Sequence, residues 1–330
     1  MGAKRKQGSS RRAAPRKISP KGFGAKPKGS GKLLSEPEYE TMCEWLCTSS
    51  MTSLHKVGVA DFDGLRGVMA LQDIAVGEEI VAIPAQFAVD LGSQNRDPLP
   101  AARRLLHERK SVGGDSRAYW DLLPPPDSRD LCTADFMSER ELELLQWPPL
   151  VLETRERAKQ LEKVLTDASP GELSDELLEF KWAVWIVLSR VLTVLGPDGQ
   201  GHKLLIPFLD MFNHRASSKH YLTGRTDGLL KVVAGEKVCA GEQVHIVYGD
   251  AGTSNVELLG HYGFVDPAAT NADRAAVRAH PEAVEALRQT SLEDDLLLLK
   301  TPPTGGYKES LAIQLRIALK KAALKEGLLA

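Results

Sequence analysis

Two short stretches concentrate residue types that can do chemistry. In Ile206-Pro207-Phe208-Leu209-Asp210-Met211-Phe212-Asn213-His214 an acid, an amide and an imidazole crowd onto an otherwise apolar segment. Buried without partners, each would cost on the order of 2 kcal/mol or more, so each must bond to the chain or to a ligand. Downstream, Val247-Tyr248-Gly249-Asp250 leads through Ser254-Asn255-Val256-Glu257-Leu258-Leu259 to Tyr262-Gly263-Phe264, two tyrosines flanking a turn and a short helix. Read singly, the first stretch is a structural turn and the second is aromatic core packing. Two upstream motifs precede them. Asp63-Gly64-Leu65-Arg66-Gly67-Val68-Met69-Ala70 is a turn with an exposed arginine entering a strand, followed by Asp73-Ile74 and Gly77-Glu78-Glu79. Ser189-Arg190 ends a long apolar helix, where an arginine more often caps carbonyls than binds a ligand.

The common enzyme signatures are missing. No Gly-rich turn follows a strand and opens a helix, as a dinucleotide-type fold requires: Gly22, Gly24 and Gly29 lie in a basic tail, and Gly196-Pro197-Asp198-Gly199 is a turn after a helix. Serine-hydrolase elbows, phosphate loops and zinc-protease helices are absent as well. Cys43, Cys47, Cys132 and Cys239 are too few and scattered for a disulfide framework in 330 residues, which points to a reducing compartment. Cys43 and Cys47 sit one helical turn apart, but nothing nearby completes a tetrahedral site, so no metal is expected. The longest apolar run, around Trp182 to Leu188, is far short of a membrane span, and no apolar signal-peptide core lies near Met1.

The elements that must position these residues alternate in texture. An amphipathic helix is expected from Pro37 to about Leu54. Short strands follow at Val57–Val59, Gly67–Leu71 and Glu79–Pro84, apolar and β-branched between Gly- and Asp-bearing turns, and read as a small meander. Helices are expected over Ala101–Arg109, Ser138–Gln146, Leu150–Leu165 and Asp175–Leu195, the last apolar nearly all round and so buried. Strand texture returns at Lys203–Phe208, Leu229–Ala234 and Gln243–Tyr248, and helices at Pro281–Gln289 and Glu309–Lys325. Strands split around a helical insertion, with helices at the end, make the chain α+β.

Taken in order, the four motifs resemble the SET family of protein methyltransferases, in the branch related to the Rubisco large-subunit lysine methyltransferase and the actin-histidine methyltransferase. The resemblance covers roughly Val57 to Asp266. It implies a SET domain of small β-sheets with a threaded, pseudoknot-like C-terminal segment, a helical insertion and a helical C-terminal region. By position it implies that Asp63, Gly64 and Leu65 contact S-adenosylmethionine through backbone, and that Arg190 meets its carboxylate with a guanidinium fork. Asp210, Asn213 and His214 would also line the cofactor, with Asn213 and His214 holding its methionine and adenine parts. Tyr221 and Tyr262 would shape the substrate channel, and Tyr248 would align the methyl group. No metal is implied.

The reaction this implies suits such a residue set. Methyl transfer from a sulfonium to an amine is an in-line displacement, so alignment and exclusion of water are the main tasks. Tyrosine hydroxyls and backbone carbonyls can hold a polarised methyl by C–H to O contacts, and a partly desolvated channel favours the neutral amine. Some positions depart from the pattern. The lysine enzyme's second arginine, four residues after the first, is here Val194, so substrate contacts there do not carry over. Leu192, apolar as in the lysine-modifying members, and Tyr262 before Gly263-Phe264 lean toward lysine over histidine. No cysteine cluster follows Phe264, so the zinc-bearing tail of histone-type relatives is not expected.

The expected organisation is a basic tail at 1–33, a SET domain at 34–266 with its insertion at about 98–178, and a short or truncated helical substrate-docking region at 267–330. The net charge of -2 hides an asymmetry, because the stretch to Lys32 carries Lys and Arg with no acid. Such a tail stays unfolded alone. It suits a nuclear or nucleolar address, an organelle transit peptide, or weak salt-dependent contact with nucleic acid. A protein substrate is the expected partner, with no membrane, and the expected compartment is nuclear or cytoplasmic, with a plastid as the alternative.

Overall fold

The computed structural model describes residues 31–93, 97–128, 131–168, 174–196, 199–224, 227–250, 252–300 and 306–329. Most of the expected basic tail lies outside the described residues.

Eleven strands form three small sheets among the described residues. The first sheet runs β1 (Lys32–Leu33), β2 (Val57–Phe62), β3 (Leu65–Ala70), β11 (Gln243–Ile246) and β8 (Asn213–His214). The second runs β4 (Glu79–Pro84), β10 (Leu229–Val233) and β9 (Tyr221–Gly224), and the third β5 (Val89–Ser93), β7 (Gly201–Leu205) and β6 (Val191–Leu195). Helices α1 (Pro37–Leu46), α2 (Leu99–Ser111), α3 (Arg117–Leu122), α4 (Glu139–Leu144), α5 (Pro148–Ala168) and α6 (Ser174–Arg190) precede β6. After β11 come α7 (Asn255–Glu257), a π-helical turn at Leu258–Tyr262, α8 (Thr270–Ala279), a 3₁₀ segment at Pro281–Gln289, α9 (Leu292–Lys300) and α10 (Tyr307–Lys325). No helix among the described residues is long and apolar enough to cross a membrane.

Local sequence explains several joints. Phe62 pairs with Leu65, leaving Asp63-Gly64 as a two-residue hairpin loop with φ of 58° and 93°. Such a turn needs positive φ at both positions, which Asp and Gly tolerate best. Ser138 with Glu141, and Ser254 with Glu257, form complete capping boxes that start α4 and α7.

Three expectations are corrected. The helix from Pro37 stops at Leu46, where Thr48 donates its hydroxyl to the Trp45 carbonyl and Thr52 donates to that of Leu46, side-chain bonds that compete with a continuing helix. The helix expected to reach Leu195 ends at Arg190, and Val191–Leu195 pairs with β7 instead. Val191, Thr193 and Val194 are β-branched, and an apolar run of that length carries no period to separate the two states. The third strand of the meander, β4, leaves its neighbours and pairs with β10, because its apolar run is buried throughout and needs cover on both faces.

The main core gathers the sheets with α1, α2, α3 and α6, including Trp182, Phe208 and Phe212. A second core joins the end of the inserted segment (Cys132, Leu142, Trp147, Leu150) to α10 through Leu311, Leu315 and Leu319. Beside it lies a buried ionic cluster. Asp295 accepts from Arg316 at 2.5 Å and from Lys320 at 2.6 Å, Arg316 also donates to the Leu144 carbonyl, and Lys320 donates to the Thr290 carbonyl.

Candidate active site

Asn213 and His214 make β8, which lies parallel to β11 with His245 opposite Asn213 and Ile246 opposite His214. The Asn213 side chain donates to the Arg66 carbonyl at 2.6 Å, 147 residues earlier in the chain. Gly67 leaves room for that approach, since an added Cβ would crowd the amide ends of Gln243 and Asn213 and displace them. The Tyr248 backbone N–H donates to His214 Nδ1 at 2.9 Å, which makes Nδ1 an acceptor and places the proton of the neutral ring on Nε2. Nε2 faces Asp266 Oδ2 at 3.3 Å, without the alignment of a hydrogen bond, and both side chains are almost fully buried. Burial works to raise the Asp266 pKa, but His214 and the backbone N–H groups of Ala268 and Ala216 outweigh it and hold the carboxyl below its usual range.

Aromatic rings close over this wall. Tyr248 and Tyr262 have ring centroids 4.7 Å apart, Tyr248 and His214 5.4 Å, and His214 and Phe264 5.5 Å. The Tyr248 hydroxyl donates to the Phe212 carbonyl at 2.6 Å. Burial pushes the pKa of both tyrosines up, so both hydroxyls stay protonated through the neutral range. The segment before this wall is strained: Phe208, fully buried, has φ 72° and ψ -41°, a conformation that costs roughly 1–3 kcal/mol and persists where packing over-determines it. Its ring packs edge-on against Phe212, 6.3 Å between centroids.

Arg190, the last residue of α6, donates through Nη1 to Asp210 Oδ2 at 3.1 Å and to the Asp210 carbonyl at 3.2 Å. Its guanidinium carbon lies 5.7 Å from the Trp185 ring centroid, so the fork is held between a carboxylate and an indole. The Asp210 side chain is 1% exposed.

No protein-family model matches the chain. Over 69% of its length it is 26% identical to the chloroplastic ribulose-1,5-bisphosphate carboxylase/oxygenase large-subunit N-methyltransferase of Nicotiana tabacum, and over 37% of its length it is 36% identical to the actin-histidine N-methyltransferase of Drosophila melanogaster. The chain covers 51% of the first relative and 24% of the second. Among solved structures, the SET domain of LSMT bound to lysine and AdoHcy superposes with a TM-score of 0.65 at 17% identity, over 88% of this chain and 90% of that one. Rubisco LSMT bound to AdoMet gives 0.67 at 18% identity, over 88% and 91%.

The chain has the SET fold. Within it, the expected residues fall into three places. Asn213, His214, Tyr248 and Tyr262 are joined by the bonds and ring contacts above, and the half-buried Arg190–Asp210 pair lies near enough for its charges to act on Tyr248. Asp63, Gly64 and Leu65 sit at the tip of the β2–β3 hairpin, where the Gly64 N–H donates to Asp61 Oδ1 at 2.5 Å. Tyr221, 50% exposed, starts β9 in the second sheet and stands outside the aromatic cluster.

Two residues that the structure sets beside these candidates carry no signal in the sequence, and a third is placed differently from its expectation. Asp266 appeared only as a boundary, although it faces His214. Tyr119, buried in α3, carried no motif at all. Arg66, expected to be exposed, is partly buried and donates through Nη1 to the Leu122 carbonyl at 3.3 Å.

Proposed function

We propose that the chain moves a methyl group from S-adenosylmethionine to a side-chain nitrogen of a protein, with lysine as the acceptor. The observation that carries this reading is the clustering of Tyr248, Tyr262 and His214, within electrostatic reach of the half-buried Arg190–Asp210 pair, in a SET fold. The donor group fits the residues present. Arg190 Nε and Trp185 Nε1 are buried donors without partners, and the donor's carboxylate is an acceptor. When bound, the sulfonium supplies an activated methyl.

The chain's own residues would do the rest. Arg190 takes the carboxylate, while Asn213, His214, Asp210 and the Asp63-Gly64-Leu65 backbone hold the remainder of the donor. Tyr248 commits its proton to the Phe212 carbonyl, leaving its oxygen lone pairs for C–H contacts with the transferring methyl. Tyr262, stacked on Tyr248, excludes water and presents an aromatic face to the incoming amine. Tyr221 belongs to this reading as a substrate contact from the channel's outer side.

Leu192, Tyr262 and the fold shared with LSMT bound to lysine favour lysine. Histidine is the second reading, favoured by the 36% identity to the Drosophila protein. A nuclear or cytoplasmic address follows from the basic stretch to Lys32, which also suits weak nucleic-acid contact, and the chloroplastic name of the tobacco relative supports the plastid alternative.

Incubating the purified chain with labelled S-adenosylmethionine and a cell extract, then assigning the label by mass spectrometry to a residue, tests the reaction and its acceptor. Label on a lysine is expected. Label on a histidine transfers the reading to the second acceptor, and no label together with no donor binding leaves a non-catalytic SET-like interaction protein.

A further inference from the structure

Four buried polar atoms lack a partner in hydrogen-bond geometry: Arg190 Nε and Trp185 Nε1 at the arginine, and Asp210 Oδ1 and the Tyr119 hydroxyl, two groups near enough to act on each other. Native interiors rarely leave such atoms unpaired, and a cluster of them marks a place where a ligand's polar groups belong. Three of the four can donate, whereas Asp210 Oδ1 only accepts. The site is therefore short of acceptors around the arginine.

Tyr119 reaches this place from the inserted segment. It is 1% exposed, in α3, whose last residue Leu122 receives the Arg66 guanidinium on its carbonyl. Its hydroxyl lies within the electrostatic reach of Asp210, Arg190 and Arg66; burial first, then Asp210, push its pKa well above the usual range, so it remains a proton donor. Asp210 holds Arg190 with Oδ2 alone, and its other oxygen is closed off from water. An arginine that must also serve an incoming carboxylate divides its charge between two anions. The buried Asp210 then needs a second donor, since an under-paired carboxylate in such a place is strongly disfavoured.

Resting on the reading of the chain as an S-adenosylmethionine-dependent enzyme, we propose that Tyr119 is a positioning residue for the amino-acid end of the methyl donor. Its O–H donates to Asp210 Oδ1 when Arg190 turns its free edge to the donor's carboxylate. The inserted helix α3 thereby becomes part of the donor site and not only its cover.

Calorimetry with two probes tests this. S-adenosylhomocysteine and methylthioadenosine share the adenosine and the sulfur, but only the first has the amino-acid end. In Tyr119→Phe, affinity for S-adenosylhomocysteine is expected to fall about tenfold, the share of one hydrogen bond to a charged group. Affinity for methylthioadenosine and the melting temperature should stay close to those of the unaltered chain. In an Asp210→Asn background the same change should have no further effect on S-adenosylhomocysteine, because the two residues act as one unit. An equal loss for both probes, no loss for either, additivity with Asp210→Asn, or collapse of the Phe variant's fold would overturn the assignment. An unaltered chain that binds neither probe removes the enzyme reading itself, a failure distinct from the others.

Discussion

The Tyr248 hydroxyl donates to the Phe212 carbonyl across 2.6 Å, so the tyrosine that closes the aromatic cluster is tied to the residue just before Asn213. This bond fixes both the ring and the direction of the oxygen lone pairs. Tyr248→Phe keeps the ring but frees its tilt and removes the oxygen. Turnover is expected to fall about a hundredfold, the usual cost of losing alignment, with donor affinity unchanged. Single-turnover kinetics beside calorimetry checks this, and unchanged turnover removes the aligning role.

Gly67→Ala places a methyl group against two buried amides, 2.0 Å from Gln243 Nε2 and 2.8 Å from Asn213 Nδ2. Overpacking of this kind costs about 1–3 kcal/mol. Urea denaturation should show that loss, and calorimetry a weaker donor affinity because Asn213 is pushed off the Arg66 carbonyl. A variant with full stability would show that the hairpin moves freely at this point.

Asp273 links pH to stability. Burial first, against hydrogen bonds from the Asn255 backbone and side chain, pushes its carboxyl from 3.8 up to about 6. The folded chain then holds a proton that the unfolded chain has lost between those values. Its contribution therefore declines as pH rises from about 4 to about 6, by roughly 3 kcal/mol in all, and is flat above. In Asp273→Asn that slope is expected to vanish, so the difference in unfolding free energy between variant and parent should change across this window and not between pH 7 and pH 8 (about the neutral range). A constant difference from acid to neutral pH would contradict the shift.

Asp295 neutralises two buried cations, Arg316 and Lys320. Asp295→Ala leaves both without a counter-charge and is expected to cost about 3–5 kcal/mol. Although burial opposes it, bonds from Arg316, Lys320 and Thr290 hold the Asp295 pKa below 3.8. The pairing thus contributes fully above the unfolded carboxylate range and is lost as pH falls through the lower folded value. Chemical denaturation at neutral pH measures the loss, and an effect under 1 kcal/mol (about the size of an exposed pair) would mean water reaches the cluster.

Much of the candidate site is legible in the sequence because its signals are local. Asp63-Gly64 announced a turn, and Tyr248, Tyr262 and Asn213-His214 lie in short segments whose order carried the SET resemblance. What escaped depends on contacts between distant segments. Val191–Leu195 looks helical until β7 is placed beside it, and β4 looks like the third strand of a meander until β10 arrives. Tyr119 sits in a helix with no motif, and only the packing of α3 brings its hydroxyl toward Asp210. Tyr221, matched by position alone, lies half exposed on the second sheet, a placement that no local signal gives.

The bond from Asn213 to Arg66 also has a consequence for how the chain matures. It joins residues separated by 147 positions, and closing so long a loop is slow because the entropy is lost before the contact repays it. The hairpin that offers the Arg66 carbonyl can form early, whereas β8 has to wait for β11 as its parallel neighbour. On the proposed reading, the donor site depends on a contact between distant segments, so donor binding would report that those segments have come together.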